Sequence, residues 1–366
     1  MNVPFYDVKA QYDSQAAEID AVVHEVISSG AYVLGKHNKA FEEEFAVLHG
    51  TKHAIAVHSG TDALRIIMDA AGITRGDEVI TTAFTFVASV ETIVQTGATP
   101  VFVDVDPDTF MMDPACIEAA ITPRTKAILP IHLFGQLCDV SAIRAIAEKH
   151  NLIVLEDAAQ AIESSHNGVL AGNFGLAAGF SFYVTKNLGA AGDGGMIVTN
   201  SDEIAETCRS IRVHGMGRER YYYDHLGYTG RLDELQAAIL RVKMKKLPDW
   251  TARRNEIAAI YRRELAGVEG IQLPLISEGN NHTYHQFTIR ATKRDALQEH
   301  LKQNGVPSMI YYPVPIHHHT PYKQFTPSWA LPATDLVSAE VLSLPIQPYL
   351  TDEHVTYTCE QIRAFR

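Results

Sequence analysis

The sequence predicts an α/β protein: a large domain with a mainly parallel seven-stranded sheet between helices, and a smaller α+β domain after it. Short runs rich in Val, Ile and Leu alternate with amphipathic helical segments between residues 53 and 157. Strands that are apolar along their whole length are typical of parallel sheets covered by helices on both faces. Beyond residue 230 the alternation stops, which indicates a second unit.

The predicted elements follow in chain order. Residues 16–30 have apolar side chains at helical spacing and end at a glycine, and a second helix is expected over about 38–49. The apolar strand segments that come next are residues 53–58, 78–82, 99–105, 125–133 and 152–157. A helix is expected after each of the first four. Two more strands, 179–184 and 195–200, enclose a glycine-rich loop without a helix, so we expect an antiparallel pair.

The second half of the chain begins with a long helical stretch. Pro248 is expected to break this stretch, because proline removes a helical hydrogen bond. A strand near residues 284–290, a helix near 293–305 and a closing helix near 350–365 follow. We therefore divide the chain into a large domain, residues 1–250, and a small domain, residues 251–366, packed closely together.

The composition excludes several classes of protein. The chain of 366 residues has 46% hydrophobic and 20% charged residues, a balance typical of globular proteins, and a formal net charge of −12. An acidic chain of this kind is not expected to bind nucleic acid or anionic membranes in general. The four cysteines have no paired spacing, which favours a reduced, cytoplasmic protein. Neither an export signal nor a membrane span is expected, since polar residues and glycines interrupt the uncharged stretch 164–185.

Three motifs resemble binding sites but lack a required feature. Residues 30–37, GAYVLGKH, have histidine where a phosphate loop needs Ser or Thr, and the glycine-rich residues 189–195 do not lead from a strand into a helix. The run of histidines at 317–319 suggests metal, but adjacent side chains converge on one ion only if a loop folds them together. No acidic or cysteine partner is evident in the sequence, so no metal site is expected.

Two segments place polar groups at the ends of predicted strands. In HSGTDAL, residues 58–64, a helix begins after a strand; its free N–H groups form an anion site, and Gly60 allows a phosphate to approach. The same serine and threonine are also ordinary helix caps. In LIVLEDAAQA, residues 152–161, an apolar strand ends in Glu156 and Asp157, with Gln160 close behind. Ligands bind at this end of parallel strands, although acidic residues there also serve as caps or ion-pair partners.

The third segment, FSFYVTKNLGAAGDGG at residues 180–195, places Lys186 between an apolar strand and a glycine-rich turn. A desolvated lysine amine is a nucleophile toward carbonyl groups, although a lysine at a strand end also simply extends to solvent. Together the three segments offer an anion site, a carboxylate and a reactive lysine. Pyridoxal phosphate requires these three groups: for its phosphate, for its ring nitrogen and for its aldehyde.

With these motifs, and with FTFVAS, RVHG, RLDELQAAIL and YYPVPIH elsewhere, the chain resembles the DegT-type nucleotide-sugar aminotransferases of the aspartate aminotransferase fold type over nearly its whole length. The resemblance implies pyridoxal phosphate as cofactor and Lys186 as the catalytic Schiff-base lysine. It also implies that Asp157 pairs with the ring nitrogen, Gln160 reaches the ring hydroxyl and Phe86 stacks on the ring. The residues expected at the phosphate are Gly60, Thr61 and Ser181, with Thr229 where the family commonly has an asparagine from the neighbouring subunit.

The resemblance also implies the reaction. An amino group passes from L-glutamate to a nucleotide-linked keto sugar in a homodimer with active sites at the subunit interface, and a dTDP-3-keto-6-deoxyhexose is the expected acceptor. UDP-linked 3-keto sugars, 4-keto sugars, another pyridoxal enzyme such as an aldolase or desulfurase, and a non-catalytic regulatory relative stay open. The residues expected to contact the substrate are Tyr183, Tyr311, Tyr312, His317, Arg218 and Arg220; the tyrosines are equally suited to packing, and the arginines to a solvated loop.

Overall fold

The computed structural model describes residues 1–365 and contains three sheets. The strands, in chain order, are β1 His53–Val57, β2 Glu78–Thr82, β3 Thr99–Val103, β4 Thr125–Ile128, β5 Ile153–Asp157, β6 Ser165–His166, β7 Val169–Leu170, β8 Ala177–Ser181, β9 Gly195–Thr199, β10 Ile271–Gln272, β11 Asn280–Asn281, β12 Phe287–Ala291 and β13 Val341–Leu344. Seven strands form the large sheet in the order β1-β9-β8-β5-β4-β2-β3. Strands β10, β12 and β13 form a second sheet, and β11, β6 and β7 a third.

The large sheet confirms the predicted fold class. The pairs β2–β3, β2–β4, β4–β5 and β5–β8 are parallel. Strand β9 runs antiparallel to both β8 and β1, as predicted for the two strands around the glycine-rich loop. Because β9 alone is reversed, β1, β2, β5 and β8 all end at the same edge of the sheet.

Helices cover this sheet and build the C-terminal region. They are α1 Val8–Asp13, α2 Ala16–Ser29, α3 Lys36–His49, α4 Gly60–Ala70, α5 Val87–Gln95, α6 Ile117–Ala120, α7 Val140–His150, α8 Asp202–Ile211, α9 Glu234–Met244, α10 Leu247–Glu264, α11 Arg294–Gln303, α12 Pro332–Glu340 and α13 Asp352–Ala364. The expected stop of α2 is confirmed, because Gly30 has a φ of 68° and caps the helix. The break expected near Pro248 falls between Met244 and Leu247, so proline occupies the first turn of α10.

Several predicted elements differ from the structure in extent, among them two strands and one helix. Strand β4 ends at Ile128, because Pro130 offers no N–H to continue the ladder. Strand β8 ends at Ser181, because the chain turns after it and the Lys186 N–H donates to the carbonyl of Tyr183 over 2.8 Å. The helix expected near residue 113 is short: a 3₁₀ turn, Pro114–Cys116, leads into α6.

The C-terminal residues have their own hydrophobic core, which includes Tyr261, Phe287 and Leu342. Val3, from the amino terminus, is also buried in this core, and its N–H donates to the carbonyl of Gly305 over 2.9 Å. Helix α10 crosses the boundary at residue 250, so the division into two domains stays a prediction. Among the described residues, none of the helices combines the length and apolar character needed to cross a bilayer.

Candidate active site

A cavity of about 430 Å³ opens where β1, β2, β5 and β8 end. It brings together most of the residues singled out in the sequence. These lining residues are Gly60, Thr61, Phe86, Asp157, Gln160, Ser181, Tyr183, Lys186, Tyr311 and Tyr312. The lysine and the aspartate, 29 positions apart in the chain, therefore face one enclosed space.

The first turn of α4 forms an anion cradle in this cavity. Ser59 caps the helix by accepting the N–H of Asp62 through its hydroxyl, 3.0 Å away, and Gly60 and Thr61 follow it. A Cβ atom at Gly60 would lie 2.6 Å from the Cβ of Ser181, so only glycine lets the two segments come this close. The free N–H groups and the positive end of the helix dipole suit a phosphate.

Asp157 is 5% exposed and has only neutral hydrogen-bond donors. One carboxylate oxygen accepts the Ser89 hydroxyl over 2.7 Å, and the other accepts the Ala159 N–H over 3.1 Å. Burial raises the pKa of Asp157, while the hydrogen bond from Ser89 and the charge of Lys186 oppose the change. A buried carboxylate in this setting is stabilised by a cation in the cavity, and a protonated pyridine nitrogen fits that requirement.

Ser89 is a site residue that the sequence analysis missed. Its hydroxyl lies 3.0 Å from that of Thr85 and 2.7 Å from Asp157, so it orients the carboxylate from the first turn of α5. Thr85 and Ser89 both belong to the FTFVAS motif. The serine that ends this motif was the sequence signal that could have identified Ser89 as a site residue.

Lys186 is partly buried in the turn after β8. Burial lowers its pKa from 10.5 to about 8, and the negative charge of Asp157 opposes part of this shift. About half of the amines are therefore neutral at pH 8, compared with very few for an exposed lysine. The neutral amine is the form that attacks an aldehyde and accepts a proton.

Glu156, the neighbour of Asp157 on β5, has a structural role. Its carboxylate accepts the Nε2–H of His132 over 3.0 Å and the N–H groups of Gly172, Phe174 and Gly175 over 2.8–2.9 Å. Burial opposes its charge, but these hydrogen bonds hold the pKa of Glu156 below its usual value. Since successive strand residues point to opposite faces, one acid fixes a loop and the other faces the cavity.

Helix α9 holds the glycine-rich turn that follows Lys186. The Gln236 side chain accepts the N–H of Ala191 over 2.8 Å and donates to the carbonyl of the same residue over 3.2 Å. Lys243, two turns further along α9 and 7% exposed, donates its ammonium to the carbonyl of Gly189. Burial lowers the pKa of Lys243 to about 8. These contacts make Gln236 and Lys243 positioning residues for the turn.

Lys243→Met is expected to leave the buried carbonyl of Gly189 without its donor, because methionine fills a similar volume but donates nothing. We expect the free energy of unfolding to fall by about 1–3 kcal/mol. Turnover should also fall, by about tenfold, as the turn loosens. Urea unfolding and steady-state kinetics measure the two effects, with Lys245→Met, an exposed lysine, as the control. Wild-type stability together with wild-type turnover would contradict the positioning role.

Aromatic side chains, among them Phe86 and Tyr312, form part of the cavity wall. Phe86 is 54% exposed and its ring centroid lies 6.1 Å from that of Tyr312. The Gln160 amide accepts the Phe134 N–H over 2.7 Å and donates to the Tyr312 hydroxyl over 3.3 Å. Gln160 is thus fixed at both ends of its amide, with Phe86 open to a planar ligand.

Tyr6 and Gln286 complete a polar corner that the sequence analysis also missed. The Tyr6 hydroxyl lies 3.2 Å from that of Tyr311 and accepts the side-chain amide of Gln286 over 3.0 Å. All three line the cavity. Because Tyr6 and Tyr311 are 305 positions apart, no local pattern could have joined them.

Four of the predicted residues lie outside the cavity of this chain. Thr229 is exposed and its hydroxyl lies 3.1 Å from His214. Arg218 and Arg220 are exposed on a surface loop. His317 lies in the 3₁₀ turn Ile316–His318, is 5% exposed, and has its ring centroid 5.9 Å from that of Phe102. The structure therefore does not bring His317 to the site, and substrate roles for these four residues stay predictions.

Fold and cavity together are those expected of a pyridoxal phosphate enzyme: a largely parallel sheet whose strand ends present an anion cradle, a buried acid and a desolvated lysine. Comparison with known protein families identifies the activity, since residues 13–363 match the model of an aminotransferase family. The chain belongs to the DegT/DnrJ/EryC1/StrS aminotransferase family.

The chain is similar to relatives with different named functions. It is 49% identical to a "Pleiotropic regulatory protein" of Geobacillus stearothermophilus, over 100% of this chain and 99% of the relative. It is 42% identical to a dTDP-3-amino-3,4,6-trideoxy-α-D-glucose transaminase of Streptomyces venezuelae, with 99% and 95% coverage. It is also 42% identical to a UDP-N-acetyl-3-dehydro-α-D-glucosamine 3-aminotransferase of Acidithiobacillus ferrooxidans, with 99% and 97% coverage.

Two solved structures extend the likeness to three dimensions. DesV of S. venezuelae superposes with a TM-score of 0.96 at 42% identity, covering 99% of this chain and 98% of its own. NtdA of Bacillus subtilis, solved with the bound cofactor PMP, gives 0.93 at 32% identity, with 100% and 85% coverage. These likenesses confirm the predicted fold type.

Proposed function

We propose that this enzyme uses pyridoxal phosphate to transfer the amino group of L-glutamate to a nucleotide-linked 3-keto sugar, with a dTDP-3-keto-6-deoxyhexose as the preferred acceptor. The observation that carries the proposal is the shared cavity, in which Lys186, Asp157 and the first turn of α4 face one another. The amino donor, the nucleotide and the sugar are parts of the proposal.

The residues present fit the cofactor group by group. Gly60, Thr61 and Ser181 would hold the phosphate, and the buried Asp157 would pair with the charged ring nitrogen. Phe86, which is 54% exposed on the cavity wall, would cover one face of the cofactor ring. When bound, pyridoxal phosphate supplies an electron sink that stabilises the negative charge developing at the substrate carbon.

Lys186 supplies the proton transfers. Its neutral amine removes the proton from Cα of the amino donor, for which a pKa of about 8 is well matched. In the second half-reaction its ammonium returns a proton toward the sugar carbon that receives the nitrogen. Asp157 keeps the ring-nitrogen proton in place throughout, since its charge is stabilised by that proton and by the Ser89 hydroxyl.

The names of the relatives support a sugar amine at C3. Two of the transaminases at 42% identity act, by their names, on 3-amino or 3-keto sugars, one linked to dTDP and one to UDP. The polar corner of Tyr6, Tyr311 and Gln286 offers hydroxyl and amide groups suited to sugar hydroxyls. The preference for dTDP is part of the proposal.

A homodimer is also proposed. Within residues 1–365 no arginine lines the cavity, so a nucleotide diphosphate needs cations from elsewhere. The loop that carries Arg218 and Arg220 also exposes Tyr221, Tyr222 and Leu226, at 70%, 67% and 86%. Large apolar side chains in such a loop favour an interface, and the arginines suit a diphosphate in a second subunit.

A cytoplasmic location belongs to the same proposal. All four cysteines are free thiols, and three of them are buried. Free buried thiols are typical of reducing compartments.

A regulatory role is the second candidate, because the relative at 49% identity is named a pleiotropic regulatory protein. A purely regulatory protein has no need of a desolvated lysine opposite a buried acid. The retention of Lys186 and Asp157 in one cavity therefore favours catalysis.

The test is a substrate panel. The purified protein, loaded with pyridoxal phosphate, is mixed with L-glutamate and with dTDP- and UDP-linked 3-keto and 4-keto sugars, and amino sugar formation is followed by mass spectrometry. We expect the highest kcat/KM for a dTDP-linked 3-keto-6-deoxyhexose. Turnover of 4-keto sugars alone would overturn the assignment of the amino group to C3 of the sugar. Absence of both half-reactions in a correctly folded, cofactor-loaded protein would favour the regulatory role.

A further inference from the structure

Two histidines and one acid meet on the surface beside the edge of the large sheet. His317 and His318 belong to the 3₁₀ turn Ile316–His318, and Asp335 lies in the first turn of α12. One potential ligand atom from each residue lies within 4.8 Å of those of the other two. None of the three lines the active-site cavity, so this cluster is a separate feature.

The structure supplies the two features that the histidine run lacks in the sequence. The 3₁₀ turn brings the adjacent rings together, with centroids 4.1 Å apart. The acidic partner is Asp335, 17 positions further along the chain, which no spacing rule links to the histidines. The acidic partner that is not evident in the sequence is therefore present in the folded chain.

A second observation concerns the buried ring. His317 is 5% exposed, and its Nδ1 is buried without a hydrogen-bond partner among residues 1–365. Buried polar atoms are nearly always satisfied, so an unpartnered ring nitrogen calls for a ligand. His318 and Asp335 are exposed, which gives an ion access from solvent.

The elements that carry the three residues are fixed to the large sheet. The Ile316 N–H donates to the carbonyl of Ala83 over 2.9 Å. The Ala333 and Thr334 N–H groups donate to the two carboxylate oxygens of Asp104 over 2.9 and 2.7 Å. Both segments therefore have fixed backbones. Since the ligand atoms already lie within 4.8 Å of one another, small side-chain movements are enough to bring them to bonding distance of one ion.

We propose that His317, His318 and Asp335 bind one divalent transition-metal ion of the zinc type. Two imidazoles and a carboxylate are a common ligand set for Zn²⁺, with water in the fourth position, whereas Mg²⁺ prefers oxygen ligands alone. The ion would join the turn at Ile316–His318 to α12. Its effect is on stability, because the cluster lies outside the cavity.

The test uses the complete, cofactor-loaded protein and calorimetric titration with Zn²⁺. We expect one site that loses at least about tenfold in affinity in His318→Ala and in Asp335→Asn, because each removes one of three ligands. His319→Ala, the exposed neighbour, is the matched control and should keep the site. Mg²⁺ should produce no binding heat at the same concentrations.

A thermal shift provides a second measurement, since an ion that binds the folded state alone raises Tm. Zn²⁺ should raise the Tm of the wild-type protein and of His319→Ala, and the increase should be lost in Asp335→Asn. Absence of Zn²⁺ binding, or equal binding by the wild type and both ligand variants, would overturn the proposal. A Co²⁺ absorption spectrum that lacks imidazole ligation would do the same.

Discussion

Lys186→Ala is expected to abolish transamination, with kcat/KM reduced by at least about a thousandfold, because the variant loses both the nucleophile and the proton-transfer group. The absorbance of a lysine-linked cofactor should disappear, although the phosphate cradle at Gly60 and Thr61 stays intact. Absorption spectra and single-turnover kinetics measure these effects.

The control is Lys245→Ala, which removes an exposed lysine from the end of α9. It should keep both the absorbance and the turnover. A cofactor adduct that borohydride traps on another lysine of the wild-type protein would contradict the assignment, as would substantial turnover in Lys186→Ala.

Asp157→Asn is expected to reduce turnover by about a hundredfold or more while the protein stays folded, because an amide of the same shape cannot stabilise a charged ring nitrogen. The amide oxygen can still accept the Ala159 N–H, and the Ser89 hydroxyl can turn to accept a hydrogen bond from the amide NH2 group. Loss of turnover without loss of Tm is therefore the expected signature.

Two comparisons separate this effect from a general loss of structure. Asp249→Asn removes an acid whose side chain is 75% exposed and should change neither turnover nor Tm. Glu156→Gln should instead lower Tm, because Glu156 binds the loop at Gly172–Gly175 and His132. If Asp157→Asn retained full turnover, the role of this residue toward the ring nitrogen would be wrong.

The elements of the large sheet could be predicted because their signals are local. The strand predicted at 152–157 and the helix that begins after Ser59 need only side-chain type and spacing. The ends of β4 and β8 were placed too late, because apolar residues continue beyond the last ladder hydrogen bond. There a proline and a turn, rather than hydrophobicity, end the strand.

The cofactor side of the cavity could be predicted for the same reason, since each of Gly60, Asp157 and Lys186 lies in a recognisable segment at a strand end. The contacts between distant segments could not. Tyr6 meets Tyr311, Lys243 meets Gly189 and Asp335 meets the histidine turn only after the chain has folded. Conversely, the YYPVPIH segment predicts His317 at the sugar pocket with Tyr311 and Tyr312, but in the structure the His317 ring packs near Phe102 and does not line the cavity.

The corner formed by Tyr6, Tyr311 and Gln286 has a practical consequence for engineering. These side chains come from chain segments that are separate from the strand ends holding Asp157 and Lys186. Because this corner is proposed to contact the acceptor, libraries randomised at positions 6, 286 and 311 should alter which acceptors are aminated while Asp157 and Lys186 still hold the cofactor. These three positions are therefore the first to vary when the enzyme is evolved to make new amino sugars.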